Sequence, residues 1–179
     1  DYGVAPEDVT WVRGGIETPG RPEKIALQLP PGVKMESAPE GVTISDLLDR
    51  GEIDGFMAPR PPSAHVLANP NVGWLFDDPT ATAKDYYRRT GIFPIMHLLG
   101  VRRDLVEEHR HLPASLLKAF TKAKDLAVER LIDNSATKVT LPWVEEQVAK
   151  VQELMGKDYW SYGVEPNRAL LETFLRHHH

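Results

Sequence analysis

The chain changes character at Pro113. Before it, every apolar stretch is cut short by proline or glycine, as in "KIALQLPPGV", "DGFMAPRPP" and "TGIFPIMHLLG". Proline removes a backbone donor and fixes φ, so no long helix or central strand can run through such segments. After it, apolar residues recur at three- and four-residue spacing over long windows. The first half therefore has to be built from short strands and helices joined by turns. The second half has to be amphipathic helices.

Read in that way, "DVTWVRGG" is a short strand that alternates Val9 and Trp11 with outward Thr10 and Val12 and ends at a glycine pair. Ile25–Leu29 and Val33–Ser37 are two extended pieces, and the "PPG" turn between them forms a hairpin-like corner. In "TISDLLDRGEIDGFMAP", Thr43 and Asp46 have capping-box spacing, Ile44, Leu47 and Leu48 give an apolar face, and Gly51 is the stop. Ile53, Phe56 and Met57 then begin a strand that Pro59 ends, which makes one αβ step of an open sheet. "PNVGWLFDD" reads as a further strand, Asp78 and Pro79 open a helix closed by Gly91, and Ile92–Val101 follows as an extended segment. Beyond Pro113, three helices are expected. The first carries Leu116, Leu117, Phe120, Ala123, Ala127 and Leu131 on one face. The second runs from Thr140 and Pro142 to Gly156, with Val144, Val148, Val151 and Met155 inward. The third opens at Pro166, with Leu170, Leu171, Phe174 and Leu175. Trp143, Tyr159 and Trp160 are expected between helices. The fold class is α/β, a mixed sheet flanked by helices, with helices added at the C-terminal side.

Bulk properties remove several function classes. Lys+Arg number 21 and Asp+Glu 26, a net charge of −5, which is opposite to what a general nucleic-acid binder needs. There is no cysteine, so thiolate catalysis and Cys-based metal sites are excluded. No apolar run approaches the roughly 20 residues of a membrane-spanning helix, and no membrane partner is expected. The opening "DYGVAPEDV" has no Met and reads as the end of one element entering another, so a segment is expected upstream. The histidines of "RHHH" are either native or the start of a purification tag.

No phosphate loop, HExxH or GxSxG motif is present, and His65, His97, His109 and His111 show no metal-ligand spacing. Three positions stand out against the surface-residue alternative. Arg13 ends a strand before a glycine turn, where open α/β sheets present ligands, and its fork matches a carboxylate. Arg60 follows the expected strand "DGFMAP" and precedes a stiff "PPS" loop. His97 lies in an apolar segment flanked by Arg88 and Arg89 on one side and Arg102 and Arg103 on the other. It is either a satisfied core histidine or a proton shuttle, with a reference pKa of about 6.5. Arg88 and Tyr87 could add a cation and a phenol from the preceding helix, although one helix face cannot present Tyr86, Tyr87, Arg88 and Arg89 together. "RRDLVEEHRH" reads as a solvated charged face.

Taken together, "DVTWVRGG", "LLDRGEIDGFMAPRPP", "YYRRTGIFPIMH", "AFTKAKDLA", "LPW" and "LMGKDYWSYGVEPNRALLETFLR" resemble the 4,5-dihydroxyphthalate decarboxylase family, in order and along nearly the whole chain. The "GEIDG" block is shared more widely with solute-binding proteins. The resemblance implies a type II periplasmic-binding-protein-like fold: residues 1–92 as the second α/β lobe, 93–112 as a crossing segment, 113–179 as a C-terminal helical region, and the first lobe upstream. It implies loss of CO2 from 4,5-dihydroxyphthalate to give protocatechuate, with this stretch alone inactive if half of the cleft lies elsewhere. His97 is the expected catalytic proton shuttle, and Arg13, Arg60, Arg88 and Tyr87 are the expected substrate-binding residues. No protein metal ligand and no organic cofactor are expected, since the phenol supplies the electrons; a divalent metal at the catechol oxygens is left open. A cytoplasmic location and a small aromatic carboxylate as partner go with this reading. The alternative is a non-catalytic, periplasmic binding protein for a small anion, using the same arginines. A lobe without its partner exposes apolar surface, so homo-oligomer formation is open as well.

Overall fold

The computed structural model describes residues 3–20, 27–135 and 139–178. The chain divides into two compact units, Asp1–Asp77 and Asp78–His179.

In the first unit, a 3-10 turn at Pro6–Asp8 leads into β1, Thr10–Arg13. The Asp8 carboxylate accepts from the Ala5 N–H at 3.1 Å, and the Trp11 indole donates to the Pro6 carbonyl at 3.1 Å. Both bonds fix the entry of the strand. β1 pairs in parallel with β2, Lys34–Ser37, in the register Thr10↔Lys34 to Arg13↔Ser37. The Ala38 N–H donates to the Arg13 carbonyl at 2.8 Å and extends the ladder by one bond. The "PPG" turn forms, with the Val33 N–H donating to the Pro30 carbonyl. The expected first arm, Ile25–Leu29, lies partly outside the described residues. The second arm pairs with β1, and the pairing is parallel.

The helix α1, Ile44–Asp49, starts and stops as its sequence dictates. The Thr43 hydroxyl accepts from the Asp46 N–H at 3.0 Å, and the Asp46 carboxylate accepts from the Thr43 N–H at 2.9 Å and its hydroxyl at 2.7 Å. At the other end Gly51 takes φ 67°, and Glu52 and Gly51 donate back to the carbonyls of Leu47 and Leu48. This is a complete Schellman closure, in which the left-handed residue is a glycine because a Cβ is disfavoured there. The short α2, Ala64–Leu67, packs on α1. Ile44, Leu47, Pro62 and Val66, with the hydroxyl residues Thr43 and Ser45, are buried at this corner. Asn69 locks the far side by donating to the carbonyl and carboxylate of Asp49 at 3.0 and 2.9 Å.

In the second unit, α3 is Pro79–Thr90, α4 Arg103–Glu108, α5 Leu112–Ile132, α6 Val144–Met155 and α7 Arg168–His178. Asp78 caps α3 by accepting from the Ala81 N–H at 2.9 Å, and Gly91 closes it at φ 67°. α4 and α6 both pack on α5, and Val148 is the buried residue of α6. Asn167 holds the turn before α7, donating to the carbonyls of Ser161 and Gly163. Lys124, its side chain only 11% exposed, pairs with Asp158 and Asp125 and lies 5.5 Å from the centre of the Tyr162 ring. No helix among the described residues is long and apolar enough to cross a membrane.

Among the described residues the molecule is thus mixed α and β, with seven α-helices and one two-stranded parallel sheet. Two expected strands do not form. Residues 53–57 and 71–78 are irregular, as is the segment 92–101, expected to be extended, and Met57, Leu75 and Leu98 are 85%, 88% and 81% exposed. A strand exists only through a ladder partner, and these segments have none among the described residues. Trp143 is exposed at the start of α6, in the left-handed region at φ 56°, instead of between helices. "RRDLVEEHRH" is charged and solvated as expected, but Arg103–Glu108 within it is helical.

The capping box makes two measurable predictions. Thr43→Ala is expected to destabilise the protein by about 1 kcal/mol, read from urea denaturation. Hydrogen bonds from Thr43 hold the Asp46 carboxyl below its ordinary value of 3.8. Its contribution is therefore complete above that value and is lost as pH falls through the lower, folded value. Asp46→Asn should flatten the acid limb of the stability curve below pH 3.8; an unchanged acid limb would remove Asp46 from the account.

Candidate functional site

Parallel strands present their C-terminal ends to one side, and in the first unit those ends are Arg13 and Ser37. The chain leaves β1 through Gly14 and Gly15 and runs directly under the start of α1. A Cβ on Gly14 would stand 3.0 Å from the Ala38 Cβ and 3.1 Å from Ile44 Cδ1. Only a glycine lets the strand exit come this close to the helix. The Ile44 N–H donates to the Gly15 carbonyl at 3.0 Å and the Ser45 N–H to the Ile16 carbonyl at 3.2 Å. With Asp46 bonded to Thr43 Oγ1 and Leu47 to the Thr43 carbonyl, the first N–H groups of α1 are all taken by the chain itself. The helix start is therefore a joint, with no free donors for an anion.

Two residues further on, Glu17 closes the corner. Its Oε1 accepts from the Ser45 hydroxyl at 2.6 Å and from the Ser63 N–H at 2.8 Å. Ser45 is 1% exposed, so its hydroxyl has no other route to satisfaction. The Ser63 hydroxyl in turn lies 2.8 Å from Nδ1 of His65. Glu17, Ser45 and Ser63 are the polar residues that sequence reasoning missed. No local signal marks them: Glu17 meets Ser45 across 28 positions and Ser63 across 46.

The residues singled out from sequence are placed as follows. Arg13 is exposed at the end of β1, beside this corner. Arg60 is exposed in the loop three residues before Ser63. Neither guanidinium has a hydrogen bond or ion pair among the described residues, so each is available to an external carboxylate. In the second unit, Tyr87 and Arg88 are consecutive residues of the last turn of α3. Arg89 is tied to Asp85 at 3.2 Å and lies 5.9 Å from the Tyr86 ring, and Arg102 pairs with Asp104. Arg88 has no such partner among the described residues. His97 is exposed in the irregular segment after Gly91. It is neither in a strand nor buried, which corrects the view of it as a core histidine.

The second unit also contains a cavity of about 730 Å³ between the C-terminal half of α5 and residues 157–160. Its lining carries Asp125, Glu129, Asp133 and Asp158 against two cations, Lys124 and Lys157, of which Lys124 is paired with Asp125 and Asp158. Acidic groups outnumber cations there, which disfavours an anionic ligand, and none of the candidate site residues singled out from sequence lines it. Phe93 packs on Trp160 at the mouth, with ring centres 5.8 Å apart. Among the described residues no group of three or more His, Asp or Glu side chains could hold a metal ion.

The chain is similar to two known proteins. It is 51% identical over all 179 residues, spanning 54% of the relative's length, to 4,5-dihydroxyphthalate decarboxylase of Comamonas testosteroni. It is 49% identical over 88 residues, 49% of the chain and 34% of the relative, to 4,5-dihydroxyphthalate decarboxylase of Pseudomonas putida. The chain thus spans about half the length, or less, of these relatives. No family model matches. The resemblance read from the sequence blocks therefore holds along the whole chain.

The Glu17 corner predicts an order of stabilities. Ser45→Ala removes one hydrogen bond and leaves Glu17 solvated, at a cost of about 1 kcal/mol. Glu17→Ala strands a buried hydroxyl and should cost more, on the order of 1–3 kcal/mol. The reverse order in denaturant midpoints would show that the corner is held by other contacts.

Proposed function

We propose that the protein carrying this chain is a carboxy-lyase that converts 4,5-dihydroxyphthalate to protocatechuate and CO2. The observation that carries this reading is the similarity to a named 4,5-dihydroxyphthalate decarboxylase along all 179 residues, with a second over 88. The exposed, unpaired guanidinium at a parallel strand end adds a chemical reason. We read β1, β2 and α1 as the strand-end corner of a lobe of the type II periplasmic-binding-protein kind, with Arg13 facing the ligand.

The chemistry follows from the substrate. Each carboxylate is para to a ring hydroxyl. As the hydroxyl loses its proton, its electron pair enters the ring, and the carbon that bears the carboxylate takes up a proton. The C–CO2 bond then breaks, its electron pair restores the aromatic ring, and the phenol is re-formed. One proton replaces one CO2. The protein has to hold the retained carboxylate, accept the phenolic proton and supply a proton to carbon. In the first unit Arg13 and Arg60 are the candidates for the first role, and in the second unit Arg88 and Tyr87 are, separately, candidate contacts to an acid. His97 takes the third, because an imidazole titrates close to neutral pH. The ring oxygen supplies the electrons, so the scheme requires no organic cofactor.

The protein supplied with 4,5-dihydroxyphthalate should release CO2 and protocatechuate in equal amounts; ligand binding without turnover would leave only a binding protein. His97→Gln is expected to lower kcat by two orders of magnitude or so with little change in ligand affinity. Equal losses in both would make His97 structural. Arg13→Lys should weaken substrate binding about tenfold, since a point charge cannot replace the fork, whereas an unchanged KM would take Arg13 out of the site.

A further inference from the structure

The scheme leaves the phenolic proton without an acceptor, and the first unit holds a carboxylate suited to it. Glu17 lies four residues beyond Arg13, on the chain leaving the C-terminal end of β1. Its Oε1 is fixed by two donors at 2.6 and 2.8 Å, one of them the buried Ser45 hydroxyl and the other a backbone N–H. Its Oε2 has no hydrogen-bond partner among the described residues. The backbone beneath it is held at both neighbouring carbonyls, Gly15 and Ile16, by the start of α1. A surface glutamate ordinarily loses much rotamer freedom when it binds a ligand. Here that cost is met in folding, and one oxygen of an exposed side chain is left without a partner among the described residues, four positions along the chain from an unpaired cation.

We propose that Glu17 reads the ring hydroxyl of the substrate, accepting its O–H at Oε2 while Arg13 holds a carboxylate, with Ser45 as the positioning residue. This rests on the decarboxylase reading for the identity of the ligand and extends it to specificity. A fixed carboxylate beside an arginine selects an aromatic acid that carries a hydroxyl over the same acid without one. The hydroxyl fills the bare acceptor, whereas a C–H group would desolvate it without replacement. In turnover the same oxygen takes the phenolic proton as the O–H bond breaks and the oxygen's electron pair enters the ring. It returns that proton to the phenolate once the C–CO2 bond has broken and the ring is aromatic again, so Glu17 ends as it began.

The test is calorimetric titration of the protein with 4,5-dihydroxyphthalate and, separately, with phthalate, alongside CO2 release. The native protein should favour the hydroxylated acid by about tenfold or more. Glu17→Gln keeps an oxygen for Ser45 and Ser63 and turns an N–H2 outward, which cannot accept the O–H. It should reduce the preference to about twofold, with phthalate affinity rising because the uncompensated carboxylate is gone. Ser45→Ala, which leaves the charge but loosens it, should give an intermediate preference, an outcome that a merely structural role would not produce. The proposal is overturned if the native protein does not favour the hydroxylated acid, if Glu17→Gln leaves the preference intact, or if both affinities fall together. Should the preference depend on Glu17 and no CO2 be released, the specificity assignment stands and the decarboxylase reading fails. CO2 release with a preference indifferent to Glu17 has the opposite meaning.

Discussion

The seating of α1 on the exit of β1 is the constraint on which the rest of the first unit depends. A helix of six residues has little stability of its own, since nucleation costs more than so few hydrogen bonds return. It persists because each end is closed chemically, by Thr43 and Asp46 at the start and by Gly51 at the finish, and because its first N–H groups bond to the carbonyls of Gly15 and Ile16. Gly14 makes the seat close enough for this. The same contact carries Glu17 to Ser45 and Ser63, so the joint that stabilises the corner is also the one that orders its polar groups.

Charge in the molecule is divided between groups that are spent and groups that are not. Arg89, Arg102, Arg168 and Lys124 are engaged by Asp85, Asp104, Glu165 and Asp158. Among these, Lys124 is the one with a largely buried side chain, and its hydrogen bond to Asp158 raises its pKa and keeps it charged. It is a structural cation that ties residues 157–162 to α5. Arg13, Arg60 and Arg88 have no such partners among the described residues. For a ligand with two carboxylates that difference matters more than the number of arginines, because a guanidinium already satisfied by an aspartate has to be released before it can bind.

The cavity in the second unit illustrates why concavity alone does not assign a site. It is large enough for a small aromatic acid. Yet the acidic residues of its lining outnumber its two lysines, and one of those, Lys124, is already paired. The strand-end corner presents an unpaired cation and, four positions on, a fixed hydrogen-bond acceptor, and those are two of the three groups that the proposed reaction has to find in the protein.

By itself, the sequence determined what depends on neighbours along the chain. The capping box at Thr43 and Asp46, the glycine stops at Gly51, Gly91 and Gly156, the Asp78–Pro79 helix start, the strand ending at Arg13 and the helices beyond Pro113 all rest on contacts a few residues apart. The family resemblance was legible for the same reason, because its blocks are local and ordered. The tertiary structure decided what depends on distant partners. It gave β2 a parallel partner in β1, left residues 53–57 with no ladder partner among the described residues, and left His97 exposed in an irregular segment. It also brought Glu17 to a serine 28 positions away and to a backbone N–H 46 positions away. Strand pairing and polar networks exist only when two remote segments meet, and no pattern within either segment records the meeting.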